Sequence, residues 1–122
     1  TTLVALLEDG EPTHGFIDAP ALDELMIGAP GGSSLNGCAV RTSACRRIAD
    51  ARFSTTDPFL FAGTEAEAFT RVRRSVRLAR YGYDALAYAR LAAGHIDLVV
   101  ESGLKRHDWA ALVPVVRGAG GV

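Results

Sequence analysis

The sequence is short of several features that mark other classes of protein. Its 122 residues include only two cysteines, Cys38 and Cys45, and no cysteine–histidine cluster with the spacing of a zinc site. No apolar run approaches the roughly 20 residues that a membrane-spanning helix needs. Acidic and basic side chains nearly cancel, at a formal net charge of −1, so the chain lacks an electrostatic footprint for nucleic acid or anionic lipid. These absences predict a soluble, cytoplasmic protein with reduced thiols and a small or polar partner.

A phosphate-binding loop that ends in Gly-Lys-Ser/Thr is also missing. The glycine-rich stretch GAPGGSSLNG (28–37) leads instead into a strand-like segment, which favours a β-hairpin. Asn36-Gly37, like Asp9-Gly10 before it, is typical of a two-residue hairpin turn, because both central positions of that turn need positive φ. The first half of the chain is therefore predicted as a β-meander, in which GGSSLNG (31–37) forms the second turn.

The hydrophobic pattern changes period in the second half. After a strand predicted in ADARFSTTD (49–57), the segment TEAEAFTRVRRSV (64–76) has the apolar spacing of one helical face. Thr64 with Glu67 three residues later matches a capping box. Strand and helix then alternate, in the predicted order strand RLARYG (77–82), helix YDALAYARLAAG (83–94), strand HIDLVVES (95–102) and a final helix DWAALVPVVRGAGG (108–121), which Pro114 should kink. The chain is predicted as one α/β domain, a mixed β-sheet covered by helices.

Neither end of the sequence carries turn or cap signals. Thr1 already lies in strand-like sequence, and Val122 follows the last glycines as though another strand were beginning. We therefore expect an excerpt from a longer chain.

Asp108 stands where a strand and a cationic stretch give way to the final helix. Its residue chemistry favours a helix N-cap, in which the carboxylate accepts hydrogen bonds from the first free N–H groups. An acid at a helix start can also hold a divalent cation beside a phosphate, although Mg²⁺ needs more oxygen ligands than one carboxylate supplies. From the residues alone both interpretations stay open.

Several segments resemble the inositol monophosphatase family. GLKRHDWAALVPVVRGAGG (103–121) resembles its C-terminal signature, in which a Trp-Asp pair opens a helix ending in Glu-Ala-Gly-Gly. The start of the chain (1–29) resembles the stretch after the family's metal-binding Asp-Pro-Ile-Asp-Gly-Thr motif, LNGCAVRTS (35–43) its Asn-Gly hairpin, and residues 80–108 its substrate-binding segment. Gly-x-Asp at 82–84 and Leu-Lys-x-x-Asp at 104–108 are most similar to the histidinol-phosphate phosphatase branch.

The resemblance implies a fold and a set of site residues. The fold would be that of the C-terminal domain of inositol monophosphatase and fructose-1,6-bisphosphatase-type phosphatases, with residues 1–122 as one domain. Asp108 would be catalytic, as a ligand of the second of two Mg²⁺ ions. The implied substrate-binding residues are Gly82, Tyr83, Asp84, Glu101 and Lys105. For Asp84, a simple helix cap is the alternative interpretation.

The sequence also departs from the family pattern. His107 occupies the usual aromatic position before the metal-binding aspartate, Trp109 follows one place later than expected, and Gly118 replaces an acid. His107 is predicted as a packing or surface histidine. Four arginines in and directly after the first predicted helix are predicted as a solvated face or an oligomer contact: Arg71, Arg73, Arg74 and Arg77.

The resemblance implies a metal-dependent phosphatase that acts on a small phosphomonoester, with histidinol phosphate as the expected substrate and a homodimer as the expected assembly. The motif and glutamates that supply the first metal's ligands are absent from these residues, so the segment alone is expected to be inactive. Two alternatives remain: hydrolysis of inositol phosphate or another small phosphomonoester, and a non-catalytic ligand-binding or interaction half.

Overall fold

The computed structural model describes all 122 residues, Thr1–Val122. It is an α/β structure, which confirms the predicted class. Its strands and α-helices are, in chain order, β1 (Thr2–Glu8), β2 (Glu11–Ala19), β3 (Glu24–Ala29), β4 (Gly32–Leu35), β5 (Cys38–Val40), β6 (Arg52–Thr55), α1 (Gly63–Ser75), β7 (Leu78–Tyr81), α2 (Ala85–Ala92), β8 (Leu98–Val99), α3 (Arg106–Trp109) and α4 (Leu112–Gly118). None of the helices is long and apolar enough to cross a bilayer.

The first five strands form an antiparallel sheet in sequential order, so the predicted meander is confirmed. Both predicted turn pairs have positive φ, with Asp9 at 51° and Asn36 at 48°. The prediction that residues 31–37 form one turn is wrong, because β4 pairs there with both β3 and β5. Ser33 explains the difference: its buried hydroxyl donates a 2.7 Å hydrogen bond to the Val115 carbonyl, a contact that local sequence does not encode.

The last three strands form a separate parallel sheet in the order β7-β6-β8. The antiparallel and parallel pairings therefore lie in two sheets and not within one mixed sheet. Helices α1 and α2 make the crossover connections that parallel strands require. The predicted apolar face of α1 is confirmed by Phe69, whose ring lies 5.7 Å from that of Phe53 and stacks at 4.3 Å on that of Phe61.

The predicted capping box of α1 is wrong. The helix begins at Gly63, two residues earlier than a box with Thr64 as its N-cap requires, and its N-cap is Ala62, which makes no side-chain cap hydrogen bond. Thr64 therefore lies inside the first turn of the helix.

Helix α4 packs directly on the antiparallel sheet. A Cβ atom added at Gly15 would lie 1.9 Å from the Ala111 carbonyl oxygen, and one added at Gly28 would lie 2.3 Å from Val115 Cα. Only glycine permits so close an approach of helix backbone to strand backbone. The principal hydrophobic core lies around this contact and includes the fully buried Val115.

The predicted single helix after Asp108 is divided in two. Helix α3 ends at Trp109, and α4 begins at Leu112 after two residues in turn geometry. Pro114 has no N–H to donate to the carbonyl of Ala110, four residues earlier, which accounts for an interruption at that point. α3 is left as a single turn that carries Asp108.

Candidate active site

A cleft of about 380 Å³ opens beyond the C-terminal ends of the parallel strands, between α2 and the segment that leads into α3. This edge of a parallel sheet is where ligands usually bind in open α/β folds. Three of the predicted site residues line the cleft together: Asp84, Glu101 and Asp108. The other three, Gly82, Tyr83 and Lys105, do not line it.

Asp108 is the third residue of α3 and not its N-cap, so the predicted capping position is wrong. Lys105 is the N-cap, and its backbone N–H donates a 2.8 Å hydrogen bond to Asp108 Oδ2. The Asp108 N–H in turn donates to the Lys105 carbonyl at 2.9 Å. The carboxylate is thus fixed by one oxygen. Its other oxygen, Oδ1, has only the exposed His107 Nε2 nearby, at 3.4 Å.

The donor set fits part of a metal site. Carboxylate oxygens are the ligands that Mg²⁺ prefers, and Asp108 Oδ1 accepts no N–H from the backbone. No group of three or more His, Cys, Asp or Glu side chains that could hold a metal ion is present in the chain, however. The described residues therefore suit one carboxylate ligand to a hard cation and do not form a complete coordination sphere.

Asp84 has an unusual backbone at the start of α2. Its φ of 45° and ψ of −136° lie outside the regions that non-glycine residues normally adopt, a conformation that costs about 1–3 kcal/mol. It occupies the N-cap position, yet its side chain accepts no cap hydrogen bond. The carboxylate is consequently unengaged at the wall of the cleft, which speaks against a purely capping role.

Glu101 follows β8 and is held by the end of β6. Its Oε1 accepts hydrogen bonds from the Thr56 N–H at 2.8 Å and the Thr56 hydroxyl at 2.9 Å, while Oε2 accepts from the Thr55 hydroxyl at 3.3 Å. The Gly82 N–H donates to the carbonyls of the same two threonines, at 3.2 and 3.0 Å. Gly82, with φ of 85°, thereby anchors the turn that leads to Asp84. Its contribution to the site is positional.

A sequence model described as the inositol monophosphatase family matches residues 1–122. The chain belongs to this family. It is 49% identical to the chloroplastic bifunctional phosphatase IMPL2 of Arabidopsis thaliana, covering 98% of this chain and 35% of that protein. It is 35% identical to the histidinol-phosphatase of Mycobacterium tuberculosis, in an alignment that covers 98% of this chain and 49% of that protein.

A solved structure shows that this inositol monophosphatase family member also has the fold of the family. An inositol monophosphatase from Zymomonas mobilis superimposes with a TM-score of 0.93 at 42% identity, over 97% of this chain and 47% of that one. The chain spans about half the length, or less, of the relatives it matches.

Sequence reasoning missed three polar residues of the cleft in this family member, Thr56, Tyr88 and Ser102. Burial, with a smaller contribution from the negative charge of Glu101, raises the pKa of Tyr88 to about 12, so its hydroxyl stays protonated at neutral pH. One sequence signal was available: Tyr88 follows Asp84 by four residues, which is the spacing of neighbours on a helix face.

The residues predicted to be at the surface do lie there. His107 has 77% of its side chain exposed. The arginines at positions 71, 73, 74 and 77 are all exposed, and Arg73 Nε donates a 2.7 Å hydrogen bond to the Tyr81 hydroxyl. None of them contributes to the cleft.

Proposed function

We propose that residues 1–122 form the C-terminal α/β domain of a Mg²⁺-dependent phosphomonoesterase that hydrolyses histidinol phosphate to histidinol and phosphate. The observation that carries this proposal is the cleft in which Asp84 and Glu101 present carboxylates beside Asp108. The similarity to a protein named histidinol-phosphatase supports the choice of substrate.

Asp108 is the residue proposed to act on the reacting group. Its Oδ1 would be a ligand of Mg²⁺, which when bound supplies Lewis-acid stabilisation of charge on the leaving oxygen. The hydrogen bond from the Lys105 N–H keeps Oδ2 fixed and so orients Oδ1. The exposed Lys105 side chain lies at the same helix start, and we place it near the phosphate as a countercharge.

Asp84 and Glu101 are the residues proposed to recognise the organic part of the substrate. Histidinol phosphate carries an ammonium group and an imidazole that is partly protonated near neutral pH. Two carboxylates on one wall of the cleft complement those positive charges through charge-assisted hydrogen bonds. Gly82 and Tyr83 form the turn that positions Asp84.

Inositol phosphate is the second candidate substrate. The Zymomonas mobilis protein, 42% identical in the compared structure, is called an inositol monophosphatase. Inositol presents only hydroxyl groups, which can donate to the same carboxylates but gain no charge–charge attraction. The two candidates therefore differ in how strongly they depend on the charge of Asp84.

The test is direct measurement of phosphate release by the intact enzyme from histidinol phosphate and inositol 1-phosphate, with Mg²⁺ and with EDTA. We expect a higher kcat/KM for histidinol phosphate, and activity that EDTA abolishes and Mg²⁺ restores. A higher kcat/KM for inositol 1-phosphate would reject the substrate assignment. Release of no phosphate from either substrate would favour a non-catalytic ligand-binding or interaction role.

The proposal also concerns the activity of residues 1–122 when they are isolated from the rest of the enzyme. The isolated 122-residue chain should release no phosphate, because its residues provide only part of a metal site. Turnover by that chain would contradict the division of the site between two halves.

We also propose a homodimer in the cytoplasm, where the exposed free thiols of Cys38 and Cys45 would stay reduced. Sedimentation analysis and cell fractionation test these two points.

A further inference from the structure

Tyr88 is the polar side chain of the cleft whose hydroxyl is left without a partner. It lies in the second turn of α2 and lines the cleft together with Asp84 and Glu101. The oxygens of Glu101 are engaged by Thr55 and Thr56. The half-buried Tyr88 side chain forms no hydrogen bond with any group of the chain, so its hydroxyl is open to a ligand that enters the cleft.

The ring of Tyr88 is held on its other side. It packs against the principal core and also lines an apolar groove of about 220 Å³, with Leu91, Val99 and Val113 among its neighbours. The contact with the core therefore positions the phenol, while the charge of Glu101 acts on its hydroxyl from the cleft. A tyrosine that is anchored at the core and has an unused hydroxyl is well suited to contact a ligand, because its side chain has few rotatable bonds to order on binding.

We propose that Tyr88 is a specificity-determining residue, whose hydroxyl donates a hydrogen bond to an acceptor atom on the organic part of the substrate, next to Glu101. The acceptor is a neutral imidazole nitrogen in histidinol phosphate, or a hydroxyl oxygen in a sugar-like phosphate. A carboxylate can only accept, so Tyr88 adds the complementary donor to a wall that Asp84 and Glu101 make acidic. This inference rests on the proposed function, since it assumes a phosphomonoester in the cleft.

The experiment compares Tyr88→Phe with wild type in the intact enzyme, using histidinol phosphate, inositol 1-phosphate and phenyl phosphate. Phenyl phosphate has no acceptor on its organic part and reports on the hydrolytic step alone. We expect kcat/KM for the preferred natural substrate to fall about three- to tenfold, with phenyl phosphate unchanged. Competitive inhibition by the dephosphorylated product, histidinol or inositol, should weaken by a similar factor.

Tyr81→Phe is the matched control, because Tyr81 is a partly exposed tyrosine outside the cleft. It should leave all three rates unchanged. Equal losses for Tyr88→Phe on every substrate would assign Tyr88 to packing, and no loss on any would show that the hydroxyl contacts nothing; either result overturns the inference. The wild-type rates test the proposed function separately. A higher wild-type kcat/KM for inositol 1-phosphate would reject histidinol phosphate as the substrate, whereas the ratio of kcat/KM in Tyr88→Phe to that in wild type would still test the role of Tyr88. Thermal unfolding of both variants checks that the fold is intact.

Discussion

The two sheets of this chain are held to their surroundings in different ways. The antiparallel sheet meets α4 backbone to backbone, across Gly15 and Gly28, with no room for an added carbon atom. The parallel sheet is held at both ends by polar side chains: Arg52 and Asp97 at one, Glu101 and the threonines at the other. Close backbone packing thus fixes the core, whereas polar side chains line the cleft. Substitutions at the packed glycines should lower stability, and substitutions of the polar side chains of the cleft should alter activity or selectivity.

The largest expected effect comes from breaking the close packing. Gly28→Ala places a methyl group 2.3 Å from Val115 Cα, where only backbone can move aside. We expect the free energy of unfolding to fall by about 3 kcal/mol, as for severe overpacking of a core. Urea unfolding of the intact protein measures it. Gly31→Ala is the control, since nothing lies within 4 Å of its added Cβ, and an equal loss there would contradict the packing argument.

Next in size is the charge of Asp108. Asp108→Asn keeps an oxygen that can accept the Lys105 N–H, so the helix start should survive, but it removes the negative charge of the proposed metal ligand. We expect kcat to fall by about two orders of magnitude without a change in thermal stability. Asp23→Asn, in the exposed loop between β2 and β3, should leave kcat unchanged. If Asp108→Asn lowers stability while kcat per folded molecule survives, Asp108 only stabilises the helix.

The ion pair at the opposite end of the parallel sheet supplies a stability effect of intermediate size. Asp97 accepts hydrogen bonds from Arg52 Nε at 2.9 Å and from the Arg52 N–H at 2.7 Å, and Ser43 donates to it as well. We expect Asp97→Asn to cost about 2 kcal/mol at neutral pH, because charge-assisted hydrogen bonds are lost. Asp50→Asn, which breaks an exposed pair with Arg47, should cost less than about 0.5 kcal/mol.

The same pair predicts a pH dependence. The hydrogen bond from Arg52 is the main reason why the pKa of Asp97 lies well below its ordinary value. A depressed pKa means that the stabilisation is complete above the unfolded value of about 3.9 and is lost as pH falls below it. Urea midpoints of wild type and Asp97→Asn should therefore converge below about pH 4. A constant difference down to pH 2 would contradict this assignment.

The smallest effect is on substrate choice. Asp84→Asn removes a charge from the cleft wall and keeps the shape of the side chain, so the unusual backbone at this position is as costly for asparagine as for aspartate. We expect kcat/KM for histidinol phosphate to fall about tenfold, with inositol 1-phosphate nearly unaffected, because only the first substrate carries a complementary positive charge. Steady-state kinetics on both substrates measure the ratio. Equal losses on both would make Asp84 a structural acid.

Local rules predicted those parts of the fold that local geometry determines. Asp9-Gly10 and Asn36-Gly37 adopt the positive φ that their turn type requires, and α1 shows the face that its apolar spacing indicates. β4 was not predictable in this way, because Ser33 is stabilised by a carbonyl 82 residues away. The capping box failed because α1 begins two residues before the position that the motif requires.

The candidate site was predictable by resemblance more than by pattern. Asp84, Glu101 and Asp108 were named from family motifs, and the fold brings their side chains to one cleft. Tyr88 had only its helical spacing from Asp84 to mark it, and its proximity to Glu101 depends on how α2 packs beside the parallel sheet. A residue whose role depends on a tertiary contact leaves little trace in a single sequence.

The link between Gly82 and Glu101 runs through one amide plane. The Thr55 carbonyl accepts from the Gly82 N–H, and the Thr56 N–H donates to Glu101, so both groups bind the two ends of the same peptide unit. That unit is planar and rigid because of its partial double bond. The turn before Asp84 and the Glu101 carboxylate therefore share one covalent reference point, and their thermal displacements should be correlated. A displacement of that peptide unit would carry both of these cleft elements with it.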